Sequence, residues 1–277
     1  MPKDIAMPAV RIFNRYFVHG ASDPGRVREI NEDAMLLNAE TGLCLLADGM
    51  GGHGRGDVAS QRTVAEVERL VGRHLPVAPA SNGSTWLGRW LKRPSRADNA
   101  LPARQLDVLA DIVREANRAL YLSNREHGAV DGTGSGTTLV GCRLLPGMDR
   151  MQIFHVGDSR LYRWRGEALQ ALTADHSLYR QWHDGGQIGR QPPANQLYQA
   201  IGPNPAIEPE MQLVEIAPGD GFLMCSDGLT GMLEEAEIAA ILSGLAPANL
   251  AAKTQALIDA ANAAGGKDNI TVVLICQ

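Results

Sequence analysis

The chain has 277 residues, 44% hydrophobic and 21% charged, with a net charge of −5. This is an ordinary globular composition, and the acid surplus argues against a nucleic-acid binder, which usually carries excess Lys and Arg. No uninterrupted apolar stretch reaches the roughly 18 residues of a membrane span, and the start of the chain, with Lys3, Asp4, Arg11 and Arg15, has no apolar core of a secretory signal, so the expected location is cytoplasmic.

In chain order, Asn31, Glu32 and Asp33 lead into the apolar run 34–37, which reads as the start of a strand. A short apolar strand over 42–47 ends at Asp48 and the glycine-rich loop 49–54. From residue 57 onward Val58, Val64, Val67 and Val71 fall at helical spacing. Residues 81–104, with scattered Gly, Pro, Ser and Asn, read as an insertion. Within it Trp86, Leu87, Trp90 and Leu91 lie beside Arg89, Lys92 and Arg93. They form either a basic amphipathic element that docks a partner or an acidic membrane surface, or two tryptophans packed on the body. Leu106, Leu109, Val113, Ala116 and Leu120 make the clearest helical stripe.

Strands are expected at 137–145 and 151–156. The runs 151–156 and 160–164 flank Gly157-Asp158-Ser159, which predicts a hairpin. Residues 177–199, with Gly185-Gly186, Gly189 and Pro192-Pro193, read as a hinged loop. Strands at 211–216 and 222–225 are separated by a turn, helices follow at 234–242 and 250–264, and 270–276 reads as a strand covered on both faces. Cys44, Cys142, Cys225 and Cys276 lie in or beside apolar runs and form no C-x-x-C pair, which suits small buried hydrophobes. Helices between groups of strands, rather than after each strand, indicate α+β layering. One domain is expected over 1–277.

Four aspartates, Asp48, Asp158, Asp227 and Asp268, each border an apolar run in a turn of small residues. A carboxylate at the end of a buried strand is costly, and several converging would repel one another unless cations sat between them. Glu32 and Asp33 add a second acidic group. Oxygen ligands of this kind suit Mg²⁺ or Mn²⁺, and Arg26 and Arg28 offer forks that match a phosphate. Metals beside an arginine suggest phosphoryl chemistry with a metal-activated water. The loop 48–54 lacks the Lys-Ser/Thr ending of a P-loop, so its glycines are read as freeing a carbonyl to face a metal.

Seven segments in order carry a specific resemblance: Gly25-Arg26-Val27-Arg28-Glu29-Ile30-Asn31-Glu32-Asp33, Ala47-Asp48-Gly49-Met50-Gly51-Gly52-His53, Gly134-Ser135-Gly136-Thr137-Thr138, His155-Val156-Gly157-Asp158-Ser159-Arg160, Thr173-Ala174-Asp175-His176-Ser177, Cys225-Ser226-Asp227-Gly228-Leu229 and Lys267-Asp268-Asn269-Ile270-Thr271. Together they resemble the bacterial metal-dependent protein phosphatases of the type 2C (PPM) serine/threonine family. The resemblance implies a four-layer α-β-β-α sandwich, two antiparallel sheets flanked by helices. It implies two Mn²⁺ or Mg²⁺ ions bridged by Asp48, with the Gly49 carbonyl on one and Asp227 and Asp268 on the other. Asp158 would serve an optional third ion, shared with Asp227. Glu32 and Asp33 would act through metal-bound waters, with Asn269 in the same supporting layer, and Arg28 would bind the substrate phosphate. A metal-bridging hydroxide would attack phosphoserine or phosphothreonine, with no phosphoenzyme.

Met50 stands where eukaryotic members carry a histidine; the nearby His53 is the candidate general acid, against a role in positioning its loop, with a metal-bound water as the donor instead. Residues 177–199 would be a flap over the site, with His176 and His183 anchoring it rather than binding metal. The expected partners are phosphorylated proteins, a serine/threonine kinase among them, and the expected state is a monomer. The alternative from a different class is a pseudophosphatase, a phosphoprotein-binding module with little turnover.

Overall fold

The computed structural model describes residues 5–6, 9–51, 55–77, 96–193 and 195–277. The chain begins with strands β1 (Ile5–Ala6), β2 (Val10–Ile12), β3 (Tyr16–Asp23), β4 (Asp33–Asn38) and β5 (Leu43–Met50), followed by helices α1 (Gly56–His74) and α2 (Arg96–Glu126). Strands β6 (Gly136–Thr137), β7 (Leu139–Leu144), β8 (Arg150–Val156), β9 (Arg160–Arg165) and β10 (Ala168–Ala171) come next, then helix α3 (Leu178–Asp184). Strands β11 (Glu210–Glu215) and β12 (Gly221–Cys225), helices α4 (Asp227–Thr230), α5 (Glu235–Leu242) and α6 (Leu250–Ala263), and strand β13 (Ile270–Cys276) complete it.

The described strands form two antiparallel sheets. One has the order β1-β3-β13-β12-β9-β10, with β2 also on β3; the other has the order β11-β8-β7-β5-β4, with β6 on β5. Alternation along each strand explains the layering. In β5, Leu43, Leu45 and Ala47 pack with Val64, Val67 and Leu70 of α1 and Leu109 and Val113 of α2. Cys44 and Leu46 turn the other way, into a core between the sheets shared with Phe222, Met224, Val273 and Ile275. The remaining faces of β12 and β13, Leu223, Cys225, Val272 and Leu274, pack under Leu257 and Ile258 of α6. A strand covered on both faces must be apolar at every position, which is why these segments read as unbroken runs. Each fully buried Leu or Ile contributes about 1.5–3 kcal/mol. The order of layers is therefore the expected α-β-β-α sandwich, and all four cysteines are buried and free.

Several expectations need correction. Residues 150–156 and 160–165 do not form a hairpin: β8 pairs with β7 and β11, whereas β9 pairs with β12 and β10. Gly157-Asp158-Ser159 instead carries the chain from one sheet to the other. A turn signal between two apolar runs is the same for both outcomes. The stretch 137–145 is divided, because Thr138 breaks out between β6 and β7. Val58 is 40% exposed; the buried side of α1 is formed by Ala59, Thr63, Val64, Val67, Leu70 and Val71. Residues 96–104, the end of the expected insertion, form the first turns of α2. The Trp86 and Trp90 segment lies outside the described residues. Within 177–199 the chain forms helix α3, capped by the Ser177 hydroxyl accepting from the Arg180 N–H.

Candidate metal centre

The strand register creates the site's central electrostatic problem. Asp33 of β4 is the direct partner of Asp48 of β5, so the two carboxylates leave the same face of the ladder. The parity that sends Cys44 and Leu46 between the sheets sends Asp48 there too. Like charges directly opposite one another destabilise a ladder unless something neutralises them. Asp227, the first residue of α4, and Asp268, two residues before β13, approach from the other sheet. Asp158 comes from the crossing turn. Asp48, Asp158, Asp227 and Asp268 line one cavity of about 290 Å³ together with Arg28, Glu32, Gly49, Met50, Thr138, Asn195 and Leu197.

Hydrogen bonds fix the walls of this cavity. Asp33 Oδ2 accepts from the Ser226 hydroxyl at 2.9 Å and the Thr271 hydroxyl at 2.5 Å, tying one sheet to the other. Asp33 Oδ1 is buried with no hydrogen-bond partner among the described residues. Thr138 Oγ1 accepts from the Asp48 N–H at 3.0 Å and lies 2.7 Å from the Ser159 hydroxyl. Glu32 Oε1 accepts from the Gly56 N–H at 3.0 Å, and its carbonyl accepts from the Ser60 hydroxyl at 2.6 Å, which docks the start of α1. Gly49 is obligatory here: a Cβ would stand 2.2 Å from the Gly56 carbonyl oxygen and 2.5 Å from that of Glu32, and neither backbone can yield.

Asn269 organises the arginine loop. Its Oδ1 accepts from the Glu32 N–H at 2.8 Å, and its Nδ2 donates to the carbonyls of Pro24 and Ile30, both at 3.0 Å. Arg28, carried on that loop and half-exposed, donates to Asp268 Oδ2 at 2.7 Å. This pairing raises the arginine further above its ordinary pKa.

Asp33, Asp48, Asp158 and Asp227 hold protons against the usual trend. Burial drives Asp48 well above the ordinary carboxylate range, and the charges of Asp33, Asp227 and Asp158 push it the same way. Asp227 is raised by burial and then by Asp268. Burial lifts Asp33 to about 7 against the opposing hydroxyl bonds, and lifts Asp158 to about 7 with help from Asp227 and Asp175. An environment that retains protons on clustered carboxylates at neutral pH is one that divalent cations can occupy in their place. The all-oxygen donor set and the orphaned Asp33 oxygen fit a hard cation such as Mg²⁺ or Mn²⁺.

The structure thus brings Asp48, Gly49, Asp158, Asp227, Asp268, Glu32 and Arg28 to one cavity, with Asp33 and Asn269 directly behind its wall. His53 lies outside the described residues. His183 is exposed on α3, beside Asp184 and away from this cavity. Sequence reasoning missed Thr138, Ser226 and Thr271 as supports for the acids, although all three stand in the quoted motifs. Asn195 and Leu197 fall within the segment 177–199 expected over the site, but no local pattern singled them out. A larger cavity of about 380 Å³ between α1 and α2, lined by Arg62, Glu66, Arg69 and Leu120, gathers no comparable set of acids.

Comparison with known proteins agrees with this geometry. The family model for protein phosphatase 2C matches residues 26–266. The serine/threonine phosphatase stp of Listeria monocytogenes serovar 1/2a is 32% identical over 262 residues, covering 92% of this chain and 93% of the relative. The serine/threonine phosphatase PstP/Ppp of Mycobacterium tuberculosis superposes with a TM-score of 0.74 at 30% identity, over 95% of this chain and 98% of that one. The PstP catalytic domain in complex with two manganese ions gives 0.74 at 29% identity, with the same coverage.

Proposed function

The chain belongs to the protein phosphatase 2C family and hydrolyses phosphoserine and phosphothreonine on proteins; from that premise we propose how its residues divide the work. The carrying observation is the convergence of Asp48, Gly49, Asp158, Asp227, Asp268 and Arg28 on one cavity. Asp48 would bridge two Mn²⁺ or Mg²⁺ ions, with the Gly49 carbonyl on one and Asp227 and Asp268 on the other, while Asp158 and Asp227 would hold a third. When bound, the ions supply Lewis acidity, which lowers the pKa of water and stabilises charge on the attacking and leaving oxygens. Arg28 receives the phosphate with its planar fork of donors, exchanging the Asp268 carboxylate for the substrate dianion. Asn269 holds the loop that aims Arg28, and Asp33 holds the two sheets in register behind the acids. His53 is the candidate donor of the proton to the leaving oxygen.

We read residues 1–277 as one catalytic domain acting as a monomer in the cytoplasm, with a flap at 177–199. Among the described residues no helix is long and apolar enough to cross a membrane. The partners are phosphorylated proteins, and a serine/threonine kinase is the opposing enzyme. The pseudophosphatase reading would need a missing metal aspartate, and all four are in place.

The test is hydrolysis of a phosphothreonine peptide with Mn²⁺ and after chelation. Asp48→Asn and Asp227→Asn should each lower kcat/KM by more than about 100-fold, because each removes charge that holds the ions, and chelator should do the same by removing the ions themselves. Full activity in chelator would overturn the metal-dependent reading.

A further inference from the structure

His155, His176 and Glu210 meet outside the acidic cavity, with His155 Nε2 3.6 Å and His176 Nε2 3.9 Å from Glu210 Oε2. The trio looks like a zinc ligand set, but its hydrogen bonds exclude that reading. The Gly157 N–H donates to His176 Nδ1 at 3.2 Å, and Gln199 Nε2 stands 3.3 Å from the same nitrogen. The Gln199 amide is oriented by its Oε1, which accepts from the Glu208 N–H at 2.6 Å. Two donors on Nδ1 leave that nitrogen bare, so the ring proton sits on Nε2. His155 Nε2 faces the Ala174 carbonyl at 2.8 Å and carries a proton as well. A metal-binding imidazole needs the reverse, a bare nitrogen toward the ion and an N–H on the far side. Burial, and then the neighbouring His155, lower His176 to about 4, so its Nδ1 stays an acceptor at neutral pH.

What His176 grips is the turn that carries Asp158. Its own N–H donates to the Gly157 carbonyl at 2.9 Å, so Gly157 is clamped on both its N–H and its C=O. Gly157 has φ +109°, and a Cβ there would stand 2.7 Å from Thr138 Cγ2. A parallel link is the Arg160 fork on Asp175, at 2.8 and 2.7 Å. On its other side the His176 carbonyl accepts from the Tyr198 N–H at 2.9 Å, beside the Ser177–Leu197 bridge. Leu197 and Asn195 in turn line the acidic cavity.

We propose that His176 is a positioning residue that couples the flap, residues 177–199, to the carboxylate of Asp158, so that ordering of the flap and filling of the third-ion position favour one another. The inference rests on the reading of Asp158 as a ligand of that ion. The coupling is reciprocal, as any equilibrium coupling between two sites must be.

The experiment is Mn²⁺ titration by calorimetry, with hydrogen exchange of residues 178–197 measured with and without Mn²⁺. His176→Leu removes the acceptor and should weaken the weakest Mn²⁺ step about 10-fold or more, leave the tighter steps unchanged and abolish Mn²⁺-dependent protection of the flap. His176→Asn, whose Oδ1 takes the place of Nδ1, should restore most of both. In an Asp158→Asn background His176→Leu should change nothing further. If the Leu variant fails to fold, His176→Gln, whose oxygen lies one bond too far, replaces it in the contrast with Asn. An unchanged weak step in His176→Leu, or equal losses in Asn and Gln, overturns the coupling. An intact weak step in Asp158→Asn overturns the third-ion assignment itself.

Discussion

Asp33→Asn isolates the cost of gathering these carboxylates without cations. Asp33 is 6% exposed, one oxygen accepts two hydroxyls and the other has no partner. Burial lifts its pKa from 3.8 to about 7, with the Asp227 and Asp268 charges adding and the hydroxyl bonds opposing. The metal-free folded state therefore binds this proton more tightly than the unfolded chain does. The resulting stability is full below about pH 4 and is lost as pH rises through about 7. About 3 pKa units at about 1.4 kcal/mol each give roughly 4 kcal/mol for the whole titration, of which about 3 kcal/mol falls between pH 5 and 8. Asn keeps an oxygen for the two hydroxyls and never ionises. In urea unfolding of chelator-treated protein, the wild type should lose stability between pH 5 and 8, and the variant should lose about 3 kcal/mol less. Saturating Mn²⁺ should diminish the wild-type loss more than the variant's. Equal pH dependence in the two metal-free proteins would refute the argument that burial of Asp33 sets its acid strength.

Arg28→Ala should raise KM for a phosphopeptide about 10–100-fold, since a charge-assisted hydrogen bond contributes about 1.5–3 kcal/mol. Arg28→Lys should recover only part, because an ammonium cannot fork; steady-state kinetics that leave KM unchanged in the Ala variant would remove Arg28 from phosphate binding. Asn269→Ala breaks three hydrogen bonds to the 24–32 loop. Its cost should be about 3 kcal/mol in chemical denaturation, with KM also rising as Arg28 loses its aim. A stability loss with KM unaltered would separate Asn269 from the arginine.

Much of this molecule is legible in one dimension. The unbroken apolar runs at 42–47, 222–225 and 270–276 announce strands covered on both faces, and the stripe from Leu106 to Leu120 announces a helix on one of them. The four aspartates at the edges of such runs announce a charge problem whose solution is cationic. Strand β3 escaped notice because His19, Gly20, Ala21 and Ser22 are indifferent strand formers; pairing with β13 and β1 makes it a strand, overriding local propensity. Helix α3 was hidden among the glycines and prolines of 177–199.

Sequence alone determined the layering and the acids, because alternation and charge are properties of neighbouring residues. Only the tertiary structure decided that 150–156 and 160–165 belong to different sheets, that Asp33 faces Asp48, and that Asn269 reaches back 237 residues to hold Glu32. Those facts depend on which distant segments pair. Such pairing is set by the packing of whole sheets and leaves no trace in local periodicity.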